Sequence, residues 1–530
     1  MAGKKLIILF LFFISGVLSF DISGQWYQKD FMIGTFCDPS VSIVENEISN
    51  SYVENAKLAQ AAYFNLFTDT RNEFVDISNY LKLVRIHDSL GINTLYKLGH
   101  GSAYFHSKLG TITQYELANS NIFGWYLRDE PPLVESGNII SIVNSLQNIP
   151  ASKPAYINLL PIYAFETISE YESYLDAYLR DSTLKIVSYD FYPFHKKFVQ
   201  NNYYKNLQLI TERAKKRPVW IYPLTTEHST YLDPERYHLN FMVFSPITYG
   251  VKGIVYYTYE TIIKSVNYNY ESALLDTMHY PTSKYFIVKD INRFVSKVAG
   301  PIIMNSIRIG TYHVSGAPFV NETIDEEYLL NDVTPLISTI SNTNIVTGIF
   351  KSTSDTSAYY LFMHNKKDQT FNNVYVSLKG NHQNNISVSV PVEDFGSNSD
   401  TFTISDTHFN STYNETSFYV DFKPGELRIV KVSGVDTLFI KRSEYNLELS
   451  VVPNPVYDLI ETRFVLSDNA AINLNLVSQN GTLTKSLLSN NFLNKGTHVR
   501  SFNISGLSNG IYIVQLVAGG KAVSSKILKF

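Results

Sequence analysis

The chain has 530 residues, of which 45% are hydrophobic and 17% charged, a composition typical of folded domains and not of a disordered protein. At ~100–200 residues per domain, this length suggests about three domains. The formal net charge of −4 is small for such a length and gives no support for a nucleic-acid partner or for an anionic membrane surface.

The first residues of the chain have the pattern of a secretory signal peptide, which we assign to residues 1–19. Two lysines precede the apolar run Leu6–Leu18, and Val17 and Ser19 are small enough for the −3 and −1 positions of a cleavage site. The alternative is an N-terminal membrane anchor, but this run is short for crossing ~30 Å of hydrocarbon, and no later segment is apolar for long enough. We therefore expect an exported protein. Its single cysteine excludes an internal disulfide.

Residues 20–300 alternate between short apolar runs and longer amphipathic stretches. The predicted strands are Phe31–Phe36, Tyr63–Phe67, Ile92–Leu98, Ile122–Leu127, Ala155–Leu160, Leu184–Tyr189, Pro218–Leu224 and Gly253–Tyr259. The predicted helices are Ser49–Ala62, Tyr80–Leu90, Ile139–Leu146, Ile168–Leu179, Tyr203–Ala214, Pro234–Phe244 and Phe286–Val298. Strands separated by helices indicate parallel pairing with right-handed crossovers, and eight such units predict a (β/α)8 TIM barrel. The alternative is an open doubly wound sheet, but the first strand is not followed by the Gly-rich turn typical of that fold.

Two β-rich regions follow the predicted barrel. Residues 301–433 contain short β-type runs separated by clusters of Asn, Gly, Ser and Asp, which predicts an all-β sandwich. The predicted strands of this sandwich are Asn344–Phe350, Ala358–His364, Asn373–Leu378, Ile386–Val390, Ser417–Phe422 and Leu427–Val432. Residues 434–446 have the composition of a linker, and residues 447–530 predict a second all-β sandwich.

The C-terminal module carries three short motifs in a fixed order. It opens with Val451–Val456 (VVPNPV), continues with Leu507–Val514 (LSNGIYIV) and ends with Lys526–Phe530 (KILKF). Together these motifs resemble the sorting domain of the type IX secretion system of Bacteroidetes. The resemblance implies that the module is an address for the type IX secretion machinery, that it does no chemistry, and that the protein is secreted or attached to the cell surface. The alternative is a small β-sandwich that binds carbohydrate.

Catalytic groups of a (β/α)8 barrel lie at the C-terminal ends of its strands. Polar side chains follow almost every predicted strand: Asp38, Asp69, Lys97, His100, Arg128, Asp129, Glu130, Asn158, Asp190, Tyr192, His195, Glu227, His228 and Glu260. Hydrolysis of a glycosidic bond needs two carboxyl groups, one that protonates the leaving oxygen and one that attacks the anomeric carbon or activates water. The many carboxyl groups at these strand ends agree with such a reaction.

The fourth predicted strand carries the most specific motif of the barrel. Its segment Gly124–Pro131 (GWYLRDEP) resembles the strand-four acid/base segment of clan A glycoside hydrolases, a superfamily of retaining (β/α)8 barrels. Three further segments resemble segments of barrel hydrolases of Bacteroidetes: Tyr156–Pro161, Ser188–Phe194 and Tyr249–Tyr259. The resemblance implies that Glu130 is the general acid/base. Asp129 departs from the pattern, because clan members usually have an asparagine there that hydrogen-bonds the sugar 2-hydroxyl.

The second carboxylate of the predicted site has three candidates. The resemblance implies a nucleophile at the end of strand seven, where Glu227 is the nearby carboxylate. Glu260, after strand eight, and Asp190, on strand six, are the alternatives. Retaining sites have carboxyl groups ~5–5.5 Å apart and inverting sites ~6.5–9.5 Å, so Glu260 or Asp190 would make an inverting mechanism possible.

Further residues near the strand ends are expected to bind substrate: Asp129, Asn158, Asp190, Tyr192, Trp220 and Tyr257. Aromatic rings can stack on the apolar faces of sugars, although alternate strand residues can instead belong to the barrel core. Sequence motifs of zinc, nucleotide and serine-esterase sites are absent, and we expect no cofactor or metal. Two other functions stay open, a catalytically silent barrel that binds glycans and a surface adhesin that binds through its β-modules.

Overall fold

The structure is a computed structural model. It describes residues 26–41, 43–44, 47–68, 77–97, 122–147, 153–180, 182–263, 270–314, 324–331, 334–383, 385–389, 401–403, 406–435, 448–466, 470–478, 483–494, 496–518 and 521–530. The predicted signal peptide, Asp69, His100 and most of the predicted linker lie outside the described residues. The chain divides into two compact units, the first within Met1–Phe191, Leu209–Thr225 and Lys252–Thr282, the second within Tyr192–Gln208, Thr226–Val251 and Ser283–Phe530.

The first unit contains a closed barrel of parallel strands. Its eight described strands are β1 Met32–Phe36, β2 Leu66–Phe67, β3 Asn93–Lys97, β4 Ile122–Asp129, β5 Ala155–Leu159, β6 Val187–Asp190, β7 Val219–Tyr222 and β8 Gly253–Tyr257. They pair in the order β1-β8-β7-β6-β5-β4-β3-β2, and β1 closes the ring by pairing with both β8 and β2. This order confirms the predicted (β/α)8 fold and places β4, β5, β6 and β7 side by side.

Helices lie between the strands along the chain. The described helices of the barrel region are α1 Asn50–Ala61, α2 Ile77–Ser89, α3 Ser136–Gln147, α4 Ile168–Leu179, α5 Tyr203–Ala214, α6 Arg236–Ile247 and α7 Ser283–Phe294. A short hairpin of Ile43–Val44 and Glu47–Ile48 precedes α1. Between β3 and β4, residues 98–121 lie outside the described part of the chain.

Helix α4 shows how local sequence fixes an element that supports the strand ends. The Thr167 hydroxyl caps its first turn by accepting a hydrogen bond from the Glu170 amide at 3.2 Å. Its apolar face buries tyrosines at helical spacing, Tyr171, Tyr174 and Tyr178. The Tyr174 and Tyr178 hydroxyls donate to the carbonyls of residues 131 and 132 at 3.0 and 2.8 Å. The helix therefore holds the segment that directly follows β4 and Glu130.

The second unit contains two antiparallel sheets after the short helix α8, Gly300–Met304. The strands are β9 Ser306–His313, β10 Ile337–Ile340, β11 Ile345–Ser352, β12 Tyr359–Asn365, β13 Phe371–Lys379, β14 Ile386–Ser389, β15 Thr401–Thr403, β16 His408–Asn410, β17 Glu415–Phe422 and β18 Leu427–Val432. Among the described residues, one sheet has the order β9-β11-β12-β18-β14-β15 and the other β10-β13-β17-β16. Their inward-facing residues, among them Ile349, Leu361, Val376 and Phe418, form one shared core. This is the predicted β-sandwich, although β9, β10, β15 and β16 were not predicted.

The C-terminal module of the second unit is also entirely β. Its strands are β19 Glu448–Val452, β20 Leu459–Leu466, β21 Ala470–Ser478, β22 Leu483–Leu493, β23 Gly496–Asn503, β24 Gly510–Ala518 and β25 Lys521–Lys529. In the described part they form the sheets β19-β20-β23 and β22-β21-β24-β25, which share a core that includes Ile460, Leu474 and Val514. Over the described residues of the whole chain, no helix has the length and apolarity needed to cross a membrane.

Candidate active site

The carboxyl ends of β4, β5 and β6 bring three polar side chains together. In the ladder, Asp129 lies opposite Asn158, and Asn158 lies opposite Ser188. Side chains two residues apart on a strand share one face, so Asp190 follows Ser188 on the same face of β6. Three adjacent strands thus gather Asp129, Asn158 and Asp190 at the end of the barrel where catalytic groups of this fold lie.

The side-chain amide of Asn158 lies at the centre of this group. Its Nδ2 donates hydrogen bonds to Oδ1 of Asp129 at 3.2 Å and to Oδ1 of Asp190 at 3.1 Å. Its Oδ1 accepts a hydrogen bond from the Ser188 hydroxyl at 3.0 Å. The amide therefore uses both of its donor hydrogens and one acceptor position within the protein.

Glu130 follows β4 in an unusual backbone conformation. Its φ is +44°, in the left-handed region that costs a non-glycine residue about 1–2 kcal/mol. The amide of Glu130 donates to the carbonyl of Asn158 at 2.8 Å, and α4 holds the two prolines that follow. A conformation of this cost persists because the surrounding hydrogen bonds determine it, and it directs the Glu130 side chain away from the regular path of the strand.

The carboxyl groups of Glu130 and Asp190 lie close enough for each to change the pKa of the other. Burial raises the pKa of Asp190 well above its ordinary value, and the negative charges of Glu130 and Asp129 raise it further. Burial, followed by the charge of Asp129, also raises the pKa of Glu130. The pKa of Asp129 is raised by burial, while the hydrogen bond from Asn158 opposes that change. Two adjacent carboxyl groups whose pKa values are both raised retain one proton between them at higher pH than an isolated group would.

A chain of buried hydroxyl groups lies next to Asn158 on the neighbouring strands. The hydroxyl oxygens of Ser188 and Tyr156 are 2.7 Å apart, and those of Tyr156 and Tyr222 are 2.9 Å apart. All three side chains are buried. None of the three was singled out in the sequence as a site residue. The available signal was the two-residue period, since Tyr156 and Ser188 each precede a predicted site residue by two positions.

The two aromatic residues predicted to bind substrate on β7 and β8 differ in exposure. Trp220 is 0% exposed, and its Nε1 donates to Oε1 of Gln28 at 2.9 Å. Its ring therefore lies in the barrel core and presents no face to a sugar. Tyr257 is partly buried, with its hydroxyl 2.9 Å from that of Tyr270 and its ring centroid 5.2 Å from that of Phe36.

Glu260 lies after β8 and is almost completely buried. Its carboxylate accepts hydrogen bonds from the Ser40 amide at 3.1 Å and from the Ser40 hydroxyl at 2.9 Å. Asn55 of α1 donates at 3.4 Å, and Nδ1 of His279 lies at 3.0 Å. The side chain thus connects the segments that follow β1 and β8 with helix α1.

The other side chains near the strand ends of the first unit have partners in the protein. Asp38 is buried and accepts hydrogen bonds from the Thr35 hydroxyl and, at 3.3 Å, from the Thr68 amide. Arg128 forms a two-pronged ion pair with Glu135 at 3.0 and 3.1 Å. The positive charges of Lys97 and Arg128 lower the pKa of Asp129, against the effect of burial.

In the second unit, Glu227 forms an ion pair with Lys196 at 2.7 Å and is 29% exposed. Tyr192 is buried and packs edge-on against Tyr231, with ring centroids 5.4 Å apart. His195 stacks on Phe198, and burial lowers the pKa of both His195 and His228. Within the described residues, no group of three or more His, Cys, Asp or Glu side chains is arranged to hold a metal ion.

Comparison with solved structures finds several matches of low sequence identity. A β-galactosidase from Halorubrum lacusprofundi has 10% identity and a TM-score of 0.38, with 49% of this chain and 57% of that chain covered. A β-glucuronidase from Parabacteroides merdae has 8% identity and a TM-score of 0.34, with 94% and 61% covered. A GH10 xylanase from Thermobacillus composti has 10% identity and a TM-score of 0.35, with 49% and 96% covered. This chain thus spans less than two thirds of the length of the first two. Curated protein sequences contain no significant match.

The C-terminal module matches a family directly. Residues 450–529 match the family described as "Secretion system C-terminal sorting domain". This span covers β19 to β25, so the predicted sorting module and the observed β-module coincide. The chain is therefore a (β/α)8-barrel and β-sandwich protein that ends in a type IX sorting domain, which indicates export to the cell surface or the extracellular space.

Proposed function

We propose that the barrel hydrolyses glycosidic bonds in poly- or oligosaccharides, with Glu130 as the general acid/base. The observation that carries this proposal is the cluster of Asp129, Glu130 and Asp190 around Asn158 at the carboxyl ends of the barrel strands. The Asn158 amide donates to both aspartates, and the Glu130 amide donates to the Asn158 carbonyl. An acid that works near neutral pH needs a carboxyl group whose pKa is raised, and burial with neighbouring negative charge supplies this. Glu130 is the least buried acidic residue of the cluster, so it is the one that delivers the proton.

We give Asp190 no role as the second catalytic carboxylate, because burial raises its pKa well above the ordinary value and a nucleophilic carboxylate must be ionised. Asp190 instead shares the proton of the acid. The clan A resemblance makes Glu227 our proposed nucleophile, with Glu260 as the alternative.

The reaction then proceeds in two balanced steps. In the first step the carboxylate of the nucleophile bonds to the anomeric carbon, the glycosidic C–O bond breaks, and the leaving oxygen takes the proton of Glu130. In the second step water attacks the anomeric carbon, Glu130 takes one proton from that water, and the bond to the nucleophile breaks. The Glu130–Asp190 pair ends the cycle with the proton that it lost.

One observation favours a second candidate function, a catalytically silent barrel that binds glycans. The carboxylate of Glu227 is paired with the Lys196 ammonium, and that of Glu260 accepts hydrogen bonds from several protein donors. If neither carboxylate is available to a substrate, the barrel can bind a sugar but lacks the nucleophile.

Hydrolysis of aryl glycosides with different leaving groups separates these functions. The full chain and its variants Glu130→Gln and Glu227→Gln are assayed on phenyl and 2,4-dinitrophenyl α- and β-glycosides. We expect Glu130→Gln to lower kcat/KM by about 10²–10⁴-fold on substrates whose leaving group needs protonation, and far less on dinitrophenyl glycosides. Glu227→Gln should abolish both activities, because a missing nucleophile cannot be replaced by a better leaving group.

The control is Glu135→Gln, which removes a carboxylate near the same strand end that we give no catalytic role. Glycan binding by a wild-type protein that hydrolyses none of the glycosides would favour the silent barrel. Equal loss on both substrate types in Glu130→Gln would contradict the assignment of Glu130 as the acid.

A further inference from the structure

We infer that Asn158 is a positioning residue that keeps the acidic proton between Glu130 and Asp190, and that Ser188 and Tyr156 hold its amide in place. This inference rests on the proposed function for its kinetic consequences. Its geometric basis is that Asn158 contacts all three acidic residues, with its amide on Asp129 and Asp190 and its backbone carbonyl on Glu130.

Asn158 is inaccessible to a sugar in spite of its place at the strand end. The residue is 2% exposed, and both hydrogens of its amide are donated to carboxylate oxygens. A substrate hydroxyl would have to displace a hydrogen bond to Asp129 or Asp190 to reach that amide. Asn158 therefore acts through the two aspartates and not on the substrate.

The two aspartates determine which way the amide faces, and the hydroxyl chain holds it in that place. The NH2 group is directed to the side where the aspartates lie, and Ser188 donates to Oδ1 of Asn158 on the opposite side. A flipped amide would place its oxygen against two carboxyl groups, which replaces attraction by repulsion, whereas the Ser188 hydroxyl can donate to an oxygen or accept from an NH2 group. Ser188 is in turn held by Tyr156, and Tyr156 by Tyr222. A rigid, buried chain of this kind is how supporting groups hold a reacting group in place.

The two hydrogen bonds from Asn158 act on the pKa values of Asp129 and Asp190. Donation to a carboxylate oxygen favours its ionised form, and for both Asp129 and Asp190 this effect opposes burial. Without those donors, Asp190 would retain the shared proton more tightly, and the proton would reside on Glu130 for a smaller fraction of the time. Only a primary amide of this length can donate to two carboxylates and accept from a hydroxyl at the same time.

The kinetic test compares Asn158→Ala, Ser188→Ala and Tyr156→Phe in the full chain on the hydrolysed aryl glycoside. For Asn158→Ala we expect kcat to fall about tenfold and the alkaline limb of the pH profile to move up by about one pH unit, while KM changes less than about threefold. Ser188→Ala and Tyr156→Phe should shift the limb in the same direction by progressively smaller amounts. A rise in KM with an unmoved limb would instead assign Asn158 to direct sugar binding and overturn the inference.

The matched control is Asn65→Ala. Asn65 lies before β2, at the opposite end of the barrel strands, where its side chain accepts from the Ile33 amide and donates to the Phe31 carbonyl at 2.8 and 2.9 Å. This variant loses partly buried side-chain hydrogen bonds and should be less stable without any movement of the alkaline limb of the pH profile. Equal pH shifts in the Asn65 and Asn158 variants would show that the effect is a general loss of structure, and the inference would fail.

A readout that is independent of activity separates this inference from the proposed function. Infrared difference spectra of the wild type against Asp190→Asn identify the carboxylic-acid band of Asp190, which is then titrated with pH. We expect this band to persist to higher pH in Asn158→Ala than in the wild type, whether or not the protein hydrolyses any glycoside. An unchanged titration contradicts the inference, even if hydrolysis is confirmed.

Discussion

Asp190 and Glu260 are both buried carboxyl groups near the carboxyl ends of barrel strands, yet their surroundings are opposite in kind. Glu260 receives hydrogen bonds from a backbone amide, a hydroxyl and an asparagine, and it contacts a histidine ring. Asp190 faces two other acidic residues and accepts hydrogen bonds from the Asn158 side-chain amide and from its own backbone amide. The first carboxylate is surrounded by donors, and the second lies beside other carboxyl groups as well as its donors.

This difference shows that burial alone does not identify a catalytic carboxyl group. A buried carboxylate that accepts several hydrogen bonds is satisfied in its ionised form, and such a group connects the segments that provide the donors. A buried carboxyl group beside other carboxyl groups must hold or share a proton. The second arrangement is the one that can supply an acid, so the neighbours of a carboxyl group carry the functional information.

Of substitutions at these two residues, Asp190→Asn is expected to have the larger effect on activity. The amide of the new residue donates to Glu130 permanently, which favours ionised Glu130 and removes the shared proton. We expect kcat to fall by about 10²-fold and the alkaline limb of the pH profile to move to lower pH, the direction opposite to that expected for Asn158→Ala. Profiles of kcat against pH for the wild type and the variant measure both changes. A limb that moves to higher pH would show that Asp190 does not supply the proton.

Glu260→Ala tests, through the stability of the protein, whether Glu260 connects the segments that provide its donors. The variant leaves donors at Ser40, Asn55 and His279 without their acceptor. Asn55 is buried, and a buried donor that stays unsatisfied costs about 1–3 kcal/mol. Ser40 and His279 are exposed and can bind water instead, so we expect the free energy of unfolding to fall by about the amount due to Asn55. Urea denaturation of the wild type and the variant measures that fall. An inactive variant of unchanged stability would instead make Glu260 the nucleophile, which the sequence left as an alternative.

The same contrast explains how much the sequence could predict. The bounds of α4 and α5 agree with the predicted helices, because amphipathic periodicity and a capping threonine are local signals. Strand β9 was not predicted; its alternation of polar and apolar residues changes phase at Gly310, where its pairing with β11 is irregular. Residues near the carboxyl ends of the barrel strands could be named from strand position alone, including Asp190 and Glu260.

What the sequence could not predict was which of those residues face each other. Glu130, whose φ is positive, lies close enough to Asp190 for each to change the pKa of the other, and the Asn158 amide lies between two aspartates and Ser188. Both are contacts between different strands, for which a single sequence has no local signal. Glu227 as nucleophile stays a prediction from the resemblance, and its ion pair with Lys196 is the observation that the variant assay must address.

The smallest expected effect is a gain in stability from Asp190→Asn that depends on pH. The pKa of Asp190 is raised in the folded protein, so the folded state binds more protons than the unfolded state once the pH exceeds the ordinary aspartate pKa of about 3.9. Wild-type stability therefore falls as the pH rises through and above that value. Asparagine does not titrate and avoids this penalty, so the variant should be more stable than the wild type near pH 7, by an amount on the order of 1 kcal/mol. The gain should vanish below about pH 4, where aspartate is protonated in both states. Urea denaturation at the two pH values measures the difference, and a gain of equal size at both would mean that the charge of Asp190 is not its cause.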